Sequence, residues 1–323
     1  GPLTFSNPTP LGPFVDAVIM GEGESLVVEV LRVLADTPKK SDRLAILSRM
    51  PHVWVPEQHG AQLPALAQVD DSLLPAWGPI RTPEAELSNM FLIETSRGCS
   101  RGCTYCVMRR STNGGMRIVP EAEILERIPS DARRVGLVGA AVSDHPRIVS
   151  IVSTLTDQGR EVGLSSLRPD KLKPEFVSAL RRGGYRTLTT AMDGPSERVR
   201  KLLDRRAEER HLVAAAENAR AAGMDRLKLY LMIGLPTEAD GDIDECVRFD
   251  GELSRIVPIA PGIAPFCPKR NTPMSAAHFG GTEVLGEALG FSSIRTIEDR
   301  LERLRTGLRG RADVRSTSAR WAA

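Results

Sequence analysis

The sequence lacks long apolar runs. No apolar stretch approaches the ~20 residues that a helix needs to cross a bilayer, and the first residues lack the charged segment and apolar core of a signal peptide. We therefore expect a protein that does not enter membranes and works in the cytoplasm. The 43 basic and 41 acidic residues nearly cancel, with a formal net charge of +2, so there is no strong nucleic-acid signal.

The middle of the 323-residue chain predicts repeated βα units. From about residue 90 to 275, short β-rich runs alternate with amphipathic helical stretches, which is typical of a parallel sheet with helices packed on it. Prolines near the helix starts and glycines at the helix ends support this pattern. The fold class is therefore α/β. The predicted strands are 90–94, 135–141, 162–167, 186–191, 226–235 and 257–266.

The segments around this block have weaker patterns. Residues 39–89 show no clear period and are interpreted as an irregular linker or lid. Residues 276–323 form a C-terminal helical extension, in which apolar residues recur on one helix face between residues 294 and 308. Residues 14–36 predict one further unit, a buried strand running into a glycine turn, followed by a helix with its apolar face at Leu26, Val27, Val30, Leu31 and Leu34.

Three of the five cysteines, Cys99, Cys103 and Cys106, lie within eight consecutive residues after the predicted strand 90–94. An odd number of cysteines argues against a disulfide framework, and clustered thiolates favour iron-sulfur clusters or zinc. Three ligands from one loop can hold three corners of a cubane and leave the fourth iron open. A structural zinc site, which needs four closed ligands, and three buried core cysteines are the alternatives.

The segment ETSRGCSRGCTYC, followed by repeated βα units, resembles the radical S-adenosylmethionine superfamily. The resemblance implies a partial (β/α)6 barrel over residues 90–275, with the metal site near the carboxyl ends of the strands. It also implies a [4Fe-4S] cluster on the three cysteines, whose open iron binds S-adenosylmethionine. One electron then cleaves the sulfonium and yields a 5′-deoxyadenosyl radical. The implied partners are a reductant such as flavodoxin or ferredoxin and an unknown substrate.

The resemblance further implies contacts to S-adenosylmethionine where the strands end. Tyr105 would lie beside the adenine, Arg168 would pair with the methionyl carboxylate, and Asp193 would hold a ribose hydroxyl or the ammonium. Plainer interpretations are packing for the tyrosine, a solvated arginine, and an aspartate favoured by a turn. Ser196 has the alternative of capping a helix. Gly139, Ala140 and Ala141 stand where the family has a Gly-Gly-Glu segment, and the glutamate is absent from this sequence. The remaining implied contacts are Ser166, Gly234 and Phe266.

Residues 1–38 resemble the end of the cobalamin (B12)-binding domain that precedes the barrel in one branch of this superfamily. The match is a GEGE turn at residues 21–24 with its flanking strand and helix. The cobalamin motif Asp-x-His-x-x-Gly does not occur in the sequence, so we expect cobalamin only in a longer parent chain. The expected function is radical chemistry, including cobalamin-assisted methyl transfer among its outcomes. The alternative is a non-catalytic iron-sulfur or zinc module for binding or electron transfer.

Overall fold

The computed structural model describes residues 2–108, 115–165, 167–281 and 289–322 of the chain. Six parallel strands form its centre, and each coincides with a strand predicted from the sequence, within a few residues at either end. Of the five shorter strands, only the one at 18–19 lies where the sequence predicts a strand. In chain order the strands are β1 (Val18–Ile19), β2 (Val53–Trp54), β3 (Met90–Glu94), β4 (Ser96–Arg97), β5 (Arg117–Ile118), β6 (Arg134–Val138), β7 (Glu161–Leu164), β8 (Thr187–Asp193), β9 (Arg226–Ile233), β10 (Ile259–Pro265) and β11 (Arg315–Ser316).

Helices follow most of the central strands and cover their outer side. Short 3-10 turns occur at 9–14, 71–73, 142–144, 169–171 and 279–281. The α-helices are α1 (Pro2–Ser6), α2 (Leu26–Asp36), α3 (Lys40–Leu47), α4 (Pro56–His59), α5 (Glu121–Arg127), α6 (Ile148–Asp157), α7 (Pro174–Arg182), α8 (Glu197–Leu202), α9 (Glu209–Ala221), α10 (Asp240–Leu253), α11 (Leu289–Gly307) and α12 (Ala319–Ala322). Within the described part of the chain, no helix is long and apolar enough to cross a membrane.

The central strands form two parallel sheets. One has the order β3-β6-β7, and the other has the order β11-β10-β9-β8. At the junction between them, the backbone N–H of Leu164 at the end of β7 donates to the Tyr185 hydroxyl at 2.5 Å. This contact satisfies a strand-end donor that would otherwise remain unpaired. The architecture is thus α/β with parallel sheets, as the sequence predicts.

Strand β9 shows how the two sides of the sheet differ. Its residues Leu227, Leu229 and Leu231 share one side of the strand. They are at most 2% exposed and belong to the main core beneath the helices. Lys228 and Tyr230 alternate with them and therefore project from the opposite, inner side of the sheet. The helix side supplies the stability, since each fully buried leucine side chain contributes about 1.5–3 kcal/mol. The inner side is left for polar groups.

The N-terminal part forms a small separate core, which corrects two expectations. Residues 39–55 are not irregular: α3 packs against α2, and β2 pairs antiparallel with β1, around Leu44, Leu47 and Val53. The predicted buried strand is only two residues long, and Phe14 ends a 3-10 turn with 83% of its surface exposed. The predicted apolar face of α2 is also largely uncovered by the described residues. Val27, Leu31 and Leu34 on that face are exposed.

The C-terminal extension packs as its pattern predicts. Ile297, Leu301 and Leu304 on α11 are at most 4% exposed and join the main core. The extension also supplies β11, a strand that the sequence did not indicate, which pairs in parallel with β10. The C-terminal residues thereby complete the edge of the second sheet.

Candidate functional site

The three cysteines lie on a loop that leaves the first sheet after β3 and β4. Gly98, directly before Cys99, has φ of 89°, a conformation that glycine adopts without a side-chain clash. Arg97 fixes the entry to the loop, because its guanidinium donates to Glu94 at 2.8 and 2.7 Å and pairs with Glu24 at 2.6 Å. These charge-assisted contacts connect the start of the cysteine loop to β3 and to the GEGE turn.

Further contacts fix the middle and the end of the loop. The Ser100 hydroxyl donates to Asp144 at 3.2 Å, and the backbone N–H of Thr104 donates to the carbonyl of Leu203 at 3.1 Å. The loop is therefore attached both to the segment after β6 and to the end of α8. A loop that is ordered in advance loses less entropy when it binds a ligand.

The three cysteine side chains line one cavity of about 430 Å³ at the carboxyl ends of the strands. Burial raises the pKa of the Cys99 and Cys103 thiols above the ordinary value. Buried thiols of this kind become thiolates when a bound cation compensates the charge, because metal binding displaces the proton. The cavity thus suits a cationic group held by sulfur.

The loop offers three sulfur groups, the number that a cubane with one open iron takes from the protein. Among the described residues, no three His, Cys, Asp or Glu side chains converge as the ligands of one metal ion. A structural zinc ion requires four ligands around one point. A cubane takes each thiolate on a different iron, and Cys99, Cys103 and Cys106 line one cavity here.

Beside the cysteines lies a buried ion pair. Of its two residues, Asp193 was predicted as a site residue from the sequence and Arg205 was not. The guanidinium of Arg205, 12% exposed, is ion-paired with the carboxylate of Asp193, 16% exposed. Arg205 also lies within electrostatic reach of the Cys103 thiol and the Tyr105 hydroxyl, and Tyr105 lies beside Asp193. Arg205 lies in the turn after α8, in a polar run whose sequence gives no sign that it enters the site.

The electrostatics of this pair follow from its burial. Burial raises the pKa of Asp193, and the positive charge of Arg205 opposes the shift. Burial likewise raises the pKa of the Tyr105 phenol. Asp193 also has φ of 64°, a conformation that costs of order 1–3 kcal/mol for a non-glycine residue. The interactions of the Asp193 carboxylate with Arg205 and Tyr105 stabilise this backbone conformation.

Several predicted contacts line the cavity, and one of them is already paired with carboxylates. Tyr105, Ala140, Ala141 and Asp193 all border the space beside the cysteines. Arg168 borders it too, yet its guanidinium donates to Asp144 at 2.6 and 2.7 Å and also pairs with Asp170. Asp144 and Asp170, which Arg101 also contacts, therefore hold Arg168, and its binding of a ligand carboxylate stays a prediction.

Other predicted contacts lie elsewhere. Ser196 is buried and caps α8, accepting from Val199 at 3.2 Å and donating to Asp242 at 2.5 Å, so the capping alternative is the correct one. Gly234 is packed against the C-terminal segment, where a Cβ would lie 2.9 Å from the Cα of Gly280. Phe266 is 1% exposed and packs in a small core beside Tyr105. Ser166 lies outside the described residues.

Gly139 has a different role from that of its two neighbours. It directly follows β6, and a Cβ there would lie 2.8 Å from the carbonyl oxygen of Ser96, so only glycine permits this close approach of β4, which leads into the cysteine loop. Its own carbonyl accepts from the Ser165 hydroxyl at 2.9 Å. Gly139 borders a second cavity, of about 560 Å³, between the GEGE turn and the cysteine loop.

The residues that line the inner part of the cavity were not predicted from the sequence. Tyr185, Thr189 and Tyr230 line it below the cysteines. These residues come from β8, β9 and the segment before β8, and their side chains project from the inner side of the sheets. The alternation of β9 could have indicated Tyr230. A residue that alternates with buried leucines along a strand faces the side of the sheet away from the core.

Two family models match this chain. Residues 93–249 match the model described as Radical SAM superfamily, a range that contains the cysteine loop, β6 to β9 and most of α10. Residues 1–56 match the model described as Radical SAM proteins, N-terminal, a range that covers the small N-terminal core.

Curated relatives match over different lengths. Uncharacterized protein MJ0966 of Methanocaldococcus jannaschii is 27% identical over 86% of this chain and 61% of its own length. The chain thus spans about three fifths of that relative. Ribosomal protein uS12 methylthiotransferase RimO of Desulfosudis oleivorans is 26% identical over 49% of this chain and 39% of its own length.

Solved structures share the fold at low identity. TsrM of Kitasatospora setae, a radical S-adenosylmethionine methyltransferase solved with cobalamin and a [4Fe-4S] cluster bound, is 12% identical with a TM-score of 0.60. A second TsrM structure, with tryptophan substrate and a SAM analog, is 13% identical with a TM-score of 0.63. The matches cover 84% of this chain and 55% and 56% of those chains.

Proposed function

Because the chain belongs to the radical S-adenosylmethionine superfamily, we propose that it binds a [4Fe-4S] cluster and reductively cleaves S-adenosylmethionine to start radical chemistry on a substrate. Cys99, Cys103 and Cys106 would be the cluster ligands. The observation that carries the proposal is that these three thiols, from one anchored loop, surround a single cavity at the strand ends. When bound, such a cluster supplies the electron that cleaves the sulfonium.

The residues around the cysteines would bind and shield the cofactor. We assign to Arg205 the role first expected of Arg168, binding the methionyl carboxylate, because the Arg205 guanidinium lies beside Cys103 and has one carboxylate partner, Asp193, where Arg168 has two. Asp193 would keep that guanidinium in place. Tyr105, buried next to Asp193, would pack against the nucleoside. The backbone after β6, at Ala140 and Ala141, borders the same space and offers carbonyl groups to the ammonium.

Anaerobic reconstitution tests the proposal. The full chain should take up iron and sulfide in the ratio of one [4Fe-4S] cluster, and the reduced cluster should change its electron paramagnetic resonance spectrum when S-adenosylmethionine is added. Reduction with dithionite should then release 5′-deoxyadenosine. Zinc in place of iron, or an iron cluster that yields no 5′-deoxyadenosine, would instead support the non-catalytic binding or electron-transfer module.

Cysteine variants test the ligand assignment. Replacing Cys99, Cys103 or Cys106 with alanine should abolish the intact cluster, since each supplies one corner. Cys246→Ala and Cys267→Ala are the matched controls: Cys246 lies on α10, buried beside Asp250, and Cys267 is exposed. A full cluster in the Cys103→Ala variant would contradict the assignment.

A more specific form of the proposal is cobalamin-assisted methyl transfer. Its support is the match of residues 1–56 to the N-terminal radical SAM model, together with the GEGE turn that contacts the cysteine loop through Glu24 and Arg97. The parent protein would then bind cobalamin and, with a reductant such as flavodoxin or ferredoxin, methylate its substrate. Incubation of the parent protein with hydroxocobalamin, followed by gel filtration and absorption spectroscopy, tests this form.

A further inference from the structure

The cysteine loop has an outer face in addition to the face that lines the cysteine cavity. Ser100, Arg101 and Gly102, which connect Cys99 to Cys103, line a separate depression of about 320 Å³. Ser100 is exposed, so the depression opens at the surface. Because a residue spans at most about 3.6 Å, the Cα of Arg101 lies within roughly 7 Å of the Cα atoms of both cysteines. A partner that contacts this face therefore comes close to the proposed cluster.

Positive charge dominates the outer depression. Four cations and two carboxylates line it: Arg101, Arg168, Lys171, Arg206, Asp144 and Asp204. Asp170, just outside the depression, pairs with Arg101 and Arg168, and counting it still leaves one cation in excess. The whole chain has a net charge of only +2, so this local excess is a feature of the cysteine loop and its neighbours.

The outermost of these charges are cations. Lys171 is exposed, and no carboxylate of the described residues lies within ion-pair distance of its ammonium; its charge acts on Asp144 only at longer range. Arg206 is 67% exposed and pairs with the less exposed Asp204 at 2.9 Å. Nearby, Leu202 at the end of α8 is 41% exposed, and its carbonyl accepts from the Thr104 hydroxyl of the cysteine loop at 3.4 Å. A small apolar contact among charges suits a transient complex, and complexes of electron carriers bury less than about 1,200 Å².

The side of the loop that faces the GEGE turn has the opposite charge. The second cavity is lined there by three carboxylates and one cation, Glu22, Glu24, Glu94 and Arg97. Arg117 pairs with Glu22, and one carboxylate still remains in excess. An acidic protein is therefore repelled on that side and attracted at the outer depression, because charge complementarity steers encounter and disfavours wrong orientations.

From this asymmetry we propose that the outer depression is the docking site of an acidic one-electron carrier protein, which contacts Lys171, Arg206 and Leu202. This inference rests on the proposed function, because a cluster must be present to receive the electron. In the step itself the reduced centre of the carrier is oxidised by one electron and the cluster is reduced by one electron. No covalent bond forms or breaks, and no proton is transferred. The carrier approaches through the loop 100–102, so the cysteine cavity stays available to cofactor and substrate.

Binding of an acidic flavodoxin tests the inference. Its Kd for the reconstituted protein is measured anaerobically by biolayer interferometry at about 0.01 M salt, where the Debye length is about 30 Å. The Lys171→Glu/Arg206→Glu variant should bind flavodoxin more weakly by roughly tenfold or more, since reversed rim charges remove the steering. At about 1 M salt, where the Debye length is about 3 Å, the difference should vanish.

The matched control is Arg309→Glu/Arg311→Glu, which changes the net charge equally. Both arginines are exposed and precede Ala312, which bridges to Ile259 at the amino end of β10, away from the cysteine end of the strands. This control should bind flavodoxin as the wild type does. Lys171→Gln/Arg206→Gln is the milder variant if the charge reversal does not fold, with a smaller loss in the same direction. Cytochrome c, a basic electron carrier, should bind the wild type more weakly than flavodoxin does.

Several outcomes would overturn the inference: equal flavodoxin binding by the wild type and the Lys171→Glu/Arg206→Glu variant, an equal loss in the control, tighter binding of cytochrome c, or no flavodoxin binding at all. Displacement of flavodoxin by phosphate far beyond that by chloride at equal ionic strength would also overturn it, because the depression would then be a small-anion site. The same titrations on the metal-free chain keep the two proposals apart. Failure to assemble a cluster contradicts the proposed function, whereas failure of docking contradicts this inference alone.

Discussion

Removing the guanidinium of Arg205 is the most informative perturbation of the site. In the Arg205→Met variant the carboxylate of Asp193 stays in a position that is 16% exposed and loses its counter-ion. Breaking a buried ion pair from one side costs about 3–5 kcal/mol, because the remaining charge is buried without compensation. We therefore expect the free energy of unfolding of the metal-free protein to fall by roughly that amount at pH 8.

The pH dependence has a definite sign. Burial raises the pKa of Asp193 in the folded protein, and Arg205 opposes that shift, so its removal raises the folded pKa further. A carboxyl group whose folded pKa exceeds its unfolded value of ~3.9 stabilises the fold most at low pH and loses that contribution as the pH rises. The Arg205→Met penalty should therefore be smaller at pH 5 than at pH 8.

A double-mutant cycle with Asp193→Asn isolates the pair. Urea unfolding followed by circular dichroism, at pH 5 and pH 8 under reducing conditions, gives the four free energies. Arg205→Met should cost much less in the Asp193→Asn background, since neither charge then remains, with a coupling of about 2–3 kcal/mol. The reasoning would be refuted by an Arg205→Met penalty below ~1 kcal/mol, or by the same penalty in both backgrounds.

Three further predictions concern other parts of the fold. Arg97→Met removes the partner of Glu94 and Glu24, so it should destabilise the protein by about 3 kcal/mol and speed amide hydrogen exchange in the cysteine loop. Asp250 is buried and its pKa is raised to about 7, so the wild type should lose stability as the pH rises from about 4 to 7, and Asp250→Asn should remove that loss. Gly234→Ala should cost roughly 1–3 kcal/mol in urea unfolding, because Gly234 has φ of 75° and a Cβ would meet Gly280.

Each of these predictions has a matched control. Arg309→Met, an exposed change near the C-terminus, should leave the exchange of the cysteine loop unchanged, and equal exchange in both variants would contradict the role of Arg97. A pH profile of Asp250→Asn parallel to that of the wild type would show that another group titrates. Gly159→Ala also has positive φ but no atom within 4 Å of its Cβ, so its cost should be lower than that of Gly234→Ala.

Local patterns in the sequence were sufficient to predict most of the central fold. The six main strands and the buried face of α11 follow from the spacing of apolar residues, because burial on one side repeats with the period of the strand or helix. The cysteine spacing likewise predicts three ligands on one loop, since that loop is contiguous. The two-residue strands β2, β4, β5 and β11 are too short to have a period and were not predicted, and the strand predicted around β1 is shorter than its apolar run indicates.

The charge partners of the site depended on tertiary structure. Arg168 was expected to be free, but strand order brings Asp144 beside it, and Arg205 reaches the cysteines from a turn about 100 residues along the chain. Nothing local distinguishes a solvated arginine from a buried one. The sequence by itself placed the three cysteines on one loop and predicted the parallel strands, through patterns within single segments. Only the tertiary structure decided which charges meet, because ion pairs depend on distances between segments that the chain order does not specify.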